Sequence, residues 1–100
     1  MMITDINKKI RQYLRMQPVR RAYLFGSFSR DEDRDNSDID ILLELEEGVD
    51  LFDFISIKLQ LEKILNKKVD LVSENGVSPR VRPYIENDKV LIYEKTNIRS

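Results

Sequence analysis

Three aspartates in two apolar segments are the residues of this chain best suited to chemistry. Asp38 and Asp40 lie two positions apart where an apolar run begins, so on an extended strand both side chains point to the same face. Asp70 stands alone in a later apolar segment, where a buried carboxylate would be costly. Neighbouring carboxylates repel each other and lose hydration, and a divalent cation offsets both costs. The pattern therefore predicts a metal site made of carboxylate oxygens.

A glycine–serine pair, Gly26-Ser27, follows the apolar run Ala22-Tyr23-Leu24-Phe25. Gly26 permits a close approach to the backbone, the amides that follow can begin a helix that favours an anion, and the Ser27 hydroxyl can donate to a phosphate oxygen. If the strands are neighbours, the three aspartates converge beside this turn. Such an arrangement suits one or two Mg²⁺ ions that share their ligands with substrate phosphates. Together, these features indicate a site for a metal-bound nucleoside triphosphate and for phosphoryl or nucleotidyl transfer.

Each of these features also has a plain structural explanation. A glycine–serine pair after a strand is most often a turn, and two aspartates at this spacing are common on the surface of an acidic chain. The acidic connection at 31–35 is typical of a solvated loop. The order of the features is what favours function: strand, glycine–serine, a fixed gap, paired aspartates entering a strand, and a solitary aspartate in a later strand.

Composition excludes several kinds of protein. One hundred residues at a formal charge of −1 indicate one domain spanning 1–100 and argue against a general nucleic-acid binder. Without histidine, the chain has no serine or cysteine nucleophile system that depends on histidine and no histidine-based zinc site. The absence of cysteine, of a long apolar run and of a signal-peptide layout fits a cytoplasmic protein that does not enter the membrane.

Helical and strand patterns alternate along the chain. We predict a first helix, capped by Thr4 and ended by Pro18, with an apolar stripe made of Ile6, Ile10, Tyr13 and Leu14. The elements predicted after it are a strand at 20–25, a short helix at 27–34, a turn at 36–37, a strand at 38–46, a helix at 51–66 capped by Asp50, a strand at 68–73, a short helix begun by Ser78-Pro79 and a strand at 89–93. The order predicts an α/β (α+β) fold with a small sheet of mixed direction and flanking helices.

The helix predicted at 51–66 carries apolar residues in two groups. The first group is Phe54, Ile57, Leu61, Ile64 and Leu65, and the second is Phe52, Ile55 and Leu59. The favoured interpretation is one wide core face bridged by a Lys58–Glu62 pair. The alternative is that the first group faces the sheet while the second meets another protein.

The spacing of the candidate site resembles the signature of the DNA polymerase β-like nucleotidyltransferase superfamily, in its minimal nucleotidyltransferase (MNT) branch. The residues that carry the resemblance are Gly26-Ser27, Asp38-Ile39-Asp40 after ten intervening residues, and Asp70 in a Val-Asp-Leu-Val strand. The resemblance covers 20–95. One residue departs from it, because Asp31 stands where many relatives have glycine after the arginine at position 30.

The resemblance implies a polymerase β-like fold and an ATP-dependent mechanism. Asp38 and Asp40 would hold the Mg²⁺ that carries the triphosphate, and Asp70 would complete a second metal site or help to deprotonate the acceptor hydroxyl. Ser27 and its neighbouring amides, with Gly26, would bind the outer phosphates. The resemblance to minimal nucleotidyltransferases also implies an antitoxin that transfers AMP to a tyrosine of a HEPN-domain RNase toxin encoded nearby. The expected partner is such a toxin.

Two alternatives stay open from the sequence. The chain could neutralise its partner by occlusion, with catalysis lost or secondary. It could instead modify a small molecule such as an aminoglycoside, although the predicted elements leave no residues for a substrate-binding domain. The acceptor is therefore expected at an interface with another protein.

Overall fold

The computed structural model describes residues 3–25, 39–80 and 82–95. Three helices and four strands lie along these residues. The elements are α1 (Ile3–Leu14), β1 (Val19–Phe25), β2 (Ile39–Leu45), α2 (Leu51–Leu65), β3 (Val69–Ser73), a 3₁₀ turn (Glu74–Gly76), α3 (Arg82–Asp88) and β4 (Val90–Glu94). The strands β2, β3 and β4 are separated by helices, as the sequence predicts. The helix predicted at 27–34 and the turn predicted at 36–37 lie outside the described residues.

The strands form one mixed sheet in the order β3-β2-β1-β4. β1 is antiparallel to both of its neighbours, while β2 and β3 are parallel and are joined by the crossover helix α2. The predicted sheet of mixed direction is confirmed. The strand order also makes β1, β2 and β3 neighbours, which was the condition for the aspartates to converge.

One face of the sheet is covered by α1 and α2. The α1 residues Ile6, Ile10 and Leu14 are fully buried, so the predicted apolar stripe is confirmed. They pack in the same core as Ile57, Leu61 and Leu65 of α2 and alternate residues of the strands. α1 begins at Ile3, so Thr4 lies within the helix and does not cap it.

α2 buries only one of its two apolar groups. Ile57, Leu61 and Leu65 are buried, whereas the second group is exposed: Phe52 by 81%, Ile55 by 43% and Leu59 by 56%. The favoured prediction of one wide core face is therefore wrong, because the second group lies on the side of the helix that is turned away from the sheet. The helix ends are as predicted. The Asp50 carboxylate accepts a hydrogen bond from the Asp53 N–H at 2.9 Å, and Asn66 ends the helix in the left-handed conformation, with φ at 52°.

The second face of the sheet is crossed by α3. The helix contacts β1 and buries Ile85, and Leu42 of β2 is buried outside the core cluster formed with α1 and α2. An ion pair of 2.7 Å between Arg82 and Glu74 ties the beginning of α3 to the end of β3. Ser78 makes the hydrogen bonds of the predicted cap, since its hydroxyl accepts from the Arg80 N–H at 3.2 Å and its carbonyl oxygen from the Arg82 N–H at 3.0 Å. The helix itself begins later than predicted, at Arg82. This start places Pro83 in the first turn, where its missing N–H leaves no helical hydrogen bond unmade.

Charged residues join three strands on this second face, at the end where β1 begins. The Arg21 guanidinium donates to Glu94 of β4 at 2.8 Å and to Glu44 of β2 at 2.9 Å. These hydrogen bonds, to Glu94 first and then to Glu44, raise the pKa of Arg21 above its ordinary value. Arg21 therefore stays charged and links β1 to both of its neighbours.

Candidate functional site

Asp40 and Asp70 are direct neighbours on adjacent parallel strands. Their Cα atoms are paired in the register of β2 and β3, and Ile39 and Val69 form the preceding pair, fully buried in the core. Because side chains alternate between the two faces of a strand, both aspartates point away from that core. Neighbouring strands lie about 4.8 Å apart, so the two carboxylates share one face at the beginning of β2 and β3. The predicted approach of Asp40 and Asp70 is confirmed.

Two hydrogen bonds hold the strand ends that carry these acids. The N–H of Ile39 donates to the carbonyl oxygen of Lys68 at 3.0 Å, which joins the beginning of β2 to the residue before β3. The Val69 N–H donates to the Glu62 carboxylate of α2, also at 3.0 Å. Glu62 therefore fixes β3 directly beside Asp70 and does not serve the predicted bridge to Lys58. The sequence pattern did not show this role, because it depends on how α2 ends against β3.

The two aspartates differ in burial. Asp40 is half-buried and Asp70 is exposed. Asp70 therefore does not bear the cost that a buried carboxylate would have at this position. Its apolar neighbours Val69 and Leu71 face the core, and Asp70 lies on the opposite side of an edge strand, where water reaches it.

The other predicted site residues lie outside the described residues. Gly26 and Ser27 follow Phe25 directly in the chain, and Phe25 is paired with Asp40 in the register of β1 and β2. Asp38 precedes Ile39, the first residue of β2. The roles of Gly26, Ser27 and Asp38 stay predictions.

The described residues fit part of a divalent-cation site. No group of three acidic side chains able to hold a metal occurs among residues 3–25, 39–80 and 82–95, which do not include Asp38. Asp40 and Asp70 offer carboxylate oxygens from two adjacent strands, and oxygen donors of this kind are the ligands that Mg²⁺ prefers. The donor set therefore suits Mg²⁺ and, with no cysteine or histidine in the chain, does not resemble a structural zinc site.

A lysine that the sequence analysis did not select lies on the same face. The Lys89 ammonium lies over the ring of Tyr23, 4.4 Å from its centroid, and 3.1 Å from a carboxylate oxygen of Glu86. Tyr23 and Phe25 are two positions apart on β1, so both side chains point to the face that carries Asp40. A lysine just before a strand is common, and its sequence position gave no sign of this contact.

A cavity at another end of the sheet lies away from the aspartates. Its volume is about 920 Å³, and Arg20, Arg21, Glu44 and Glu46 are among the residues that line it. Arg21 and Glu44 are paired with each other there, as are Lys95 and Glu46. This cavity is a charged depression at the far end of β1 and β2 and does not include Asp40 or Asp70.

The chain belongs to the polymerase β nucleotidyltransferase family, whose sequence pattern matches residues 8–98. The chain is thus a nucleotidyltransferase, with the polymerase β-like fold that the spacing of its site residues predicted. No helix within the described residues is long and apolar enough to cross a bilayer.

Individual relatives support the same assignment. A candidate protein adenylyltransferase of Methanocaldococcus jannaschii is 41% identical over 90 residues, which is 90% of this chain and 97% of that protein. The solved structure of a candidate minimal nucleotidyltransferase is 33% identical, with a TM-score of 0.78 over 90% of this chain and 95% of the other. A crystal structure of a toxin–antitoxin complex with AMP-PNP includes a chain that is 26% identical, with a TM-score of 0.76 over 91% of this chain and 74% of the other.

Proposed function

We propose that this chain is a Mg²⁺-dependent protein adenylyltransferase, which moves AMP from ATP to a tyrosine hydroxyl of a HEPN toxin and thereby acts as its antitoxin. The observation that carries the proposal is the register of β2 and β3, which pairs Asp40 with Asp70 on one face. The names of the relatives support the protein acceptor and the nucleotide: protein adenylyltransferase for one, and a toxin–antitoxin complex with AMP-PNP for another. The HEPN class of the partner follows from the resemblance to minimal nucleotidyltransferases.

The aspartates would provide the negative charge that binds the metal. Asp40 and Asp70 contribute carboxylates from neighbouring strands, and Asp38 adds a third if β2 keeps its alternation back to that residue. Mg²⁺, when bound, neutralises charge on the triphosphate and supplies electrophilic assistance at phosphorus. Gly26 and Ser27 would bind the outer phosphates through backbone amides and the serine hydroxyl.

The proposed transfer displaces pyrophosphate from ATP. The acceptor oxygen of the tyrosine bonds to the α-phosphorus, and the bond from that phosphorus to the oxygen bridging to the β-phosphorus breaks. The electron pair of that bond leaves with pyrophosphate. The phenolic proton passes to a carboxylate of the site or to water, and Asp70 is the candidate acceptor because it is exposed at the face where a second protein can approach.

Transfer of label to the partner tests this proposal. The chain is incubated with Mg²⁺, ATP labelled in its α-phosphate and the HEPN protein encoded by the adjacent gene. We expect label on a tyrosine of the partner with the wild type and its loss with Asp40→Asn, Asp70→Asn or the double substitution Asp38→Ala/Asp40→Ala. Asp5→Asn is a matched control, because Asp5 is an exposed acid of α1 on the other side of the sheet.

A second candidate function, neutralisation by occlusion, is favoured by the exposed apolar group of α2. Phe52, Ile55 and Leu59 form a surface that could bind a partner whether or not the site is active. The same experiment separates the two functions. Neutralisation of the toxin without transfer of label, and equally good with Asp40→Asn, would support occlusion. Label found on small molecules and never on protein would instead support a small-molecule nucleotidyltransferase.

We also infer a cytoplasmic location. ATP, Mg²⁺ and an RNase toxin that must be held inactive all occur in the cytoplasm, and the cysteine-free composition fits that compartment.

A further inference from the structure

Lys89 extends the row of residues that contains the two aspartates. The last described pair of β1 and β4 is Leu24 with Val90, and the next position along each strand is Phe25 on β1 and Lys89 before β4. Phe25 is paired with Asp40, and Asp40 with Asp70. A line across the sheet therefore runs from a lysine, through an aromatic residue, to two carboxylates.

The Lys89 side chain is held in place on the face of the aspartates. Its ammonium lies 4.4 Å from the centroid of the Tyr23 ring and 3.1 Å from a Glu86 carboxylate oxygen, and the side chain is only 22% exposed. A cation over an aromatic face is attracted to the ring, which limits the conformations of an otherwise flexible side chain. Lys89 thus offers a positive charge whose position is fixed before any ligand binds.

The spacing between the backbone at position 89 and the strands that carry the acids is comparable with the size of an extended anion. Two strand spacings separate the backbone of position 89 from that of Asp40, which amounts to about 10 Å. Lys89 and the aspartates can therefore act on different parts of one ligand without neutralising each other directly. A triphosphate whose metal-bound part lies at the aspartates has further phosphate oxygens to place, and an ammonium is a good partner for them.

We propose that Lys89 is a triphosphate-binding residue of this site: its ammonium, preordered on Tyr23, exchanges Glu86 for a phosphate oxygen when the nucleotide binds. This inference rests on the proposed function, because it takes the face of Asp40 and Asp70 to be where ATP lies. It adds Lys89, which lies between α3 and β4, to the strand ends that carry Asp40 and Asp70. It also gives α3 a role in nucleotide binding.

Nucleotide binding to three variants tests the role of Lys89. The probes are α,β-methylene-ATP, which cannot transfer its nucleotide, and AMP, each measured by calorimetry with Mg²⁺. Lys89→Met removes the charge and keeps the length of the side chain, and Lys89→Arg keeps the charge. Lys63→Met is the control, because Lys63 is an exposed lysine on α2, on the other side of the sheet. Circular dichroism establishes that each variant is folded.

We expect Lys89→Met to raise the Kd of the triphosphate analogue about tenfold, the effect of one charge-assisted hydrogen bond, and to change the Kd of AMP less than about twofold. Lys89→Arg should restore most of the affinity, and Lys63→Met should match the wild type. Unchanged triphosphate binding by a folded Lys89→Met variant would overturn the inference alone. Equal losses for the triphosphate and AMP would also overturn it, since they indicate a structural role. Failure of the wild type to bind the analogue would overturn the proposed function and this inference together.

Discussion

At the scale of single residues, the site places two acids side by side although their negative charges repel each other. Asp40 and Asp70 face each other across adjacent strands, and like charges directly opposite in a sheet are destabilising. Neither carboxylate contributes to the apolar core, which is formed by Ile39 and Val69 on the other face. A pair of like charges at such a position is typical of a functional site.

Replacing one acid should separate activity from stability. Because Asp70 is exposed and faces Asp40, Asp70→Asn removes repulsion and leaves the core intact. We expect the unfolding free energy without metal to stay within about 0.5 kcal/mol of the wild type or to rise. Nucleotide transfer should fall by about 10²-fold or more, as expected for a lost metal ligand or general base.

Two measurements on the same preparations would check these expectations. Urea unfolding with a chelator present gives the unfolding free energy, and a transfer assay gives the activity. A clear loss of stability in Asp70→Asn would indicate a structural role for this carboxylate and would contradict the assignment.

The sequence predicts that Asp40 and Asp70 lie close together, but it does not predict the contact of Lys89 with Tyr23. Alternation along a strand places the side chain of Asp40 opposite those of Ile39 and Ile41, so its face follows from its neighbours. The exposure of Asp70 does not follow in the same way, because it depends on β3 being at the edge of the sheet. Lys89 meets Tyr23 only because α3 folds back over β1, a contact that no local pattern encodes.

At the scale of elements, the connection from α2 to β3 sets the register of the site. The crossover through α2 makes β3 parallel to β2, and the Glu62 carboxylate binds the first N–H of β3. A shift of one residue at this point would turn Asp70 into the core and expose Val69. The hydrogen bond from the Val69 N–H therefore stabilises both the packing of Val69 in the core and the position of Asp70 in the site.

Removing this hydrogen bond should affect both properties. In Glu62→Ala the Val69 N–H, which belongs to a fully buried residue, loses its acceptor, so we expect a loss of about 1–3 kcal/mol in the unfolding free energy. Glu62→Gln keeps an acceptor oxygen at the same reach and should lose less. Amide hydrogen exchange at Val69 would measure the effect directly. Equal protection of this amide in Glu62→Ala and wild type would refute the role given to Glu62.

The two apolar groups of α2 should respond differently to truncation. Leu61 is fully buried, so Leu61→Ala leaves a cavity and should cost about 2–5 kcal/mol of unfolding free energy. Leu59 is 56% exposed, and Leu59→Ala should stay within about 0.5 kcal/mol. Chemical denaturation of this matched pair checks the assignment of faces. A large loss for Leu59→Ala in the chain alone would mean that the second group is buried in solution.

The elements themselves could largely be predicted, because their signals are local. Asp50 and Asn66 bound α2, and the apolar stripe defines α1. The start of α3 could not be predicted from Ser78-Pro79, since a cap and a proline describe a turn as well as a helix. The two groups on α2 were visible in the sequence, but which of them faces the sheet depends on how the helix packs.

At the scale of the whole molecule, one face of the sheet forms the core and the other carries the candidate site. α1 and α2 cover one face and form the main core, while the other face carries the aspartates, the Arg21 network and α3. The mixed direction of the sheet brings the end of β1 to the beginnings of β2 and β3. A small sheet of mixed direction could be expected from alternating helices and strands, but the strand order, including the pairing of β4 with β1, is a tertiary result.

The most direct test of the central claim is metal binding at the two neighbouring acids. Electron paramagnetic resonance can follow the binding of Mn²⁺, which takes the same oxygen ligands as Mg²⁺, in the presence of α,β-methylene-ATP. We expect the wild type and Asp5→Asn to bind the Mn²⁺–nucleotide complex, and Asp40→Asn and Asp70→Asn each to bind it at least about tenfold more weakly. Equal affinity in all four proteins would contradict the claim that carboxylates of β2 and β3 together hold the metal-bound nucleotide.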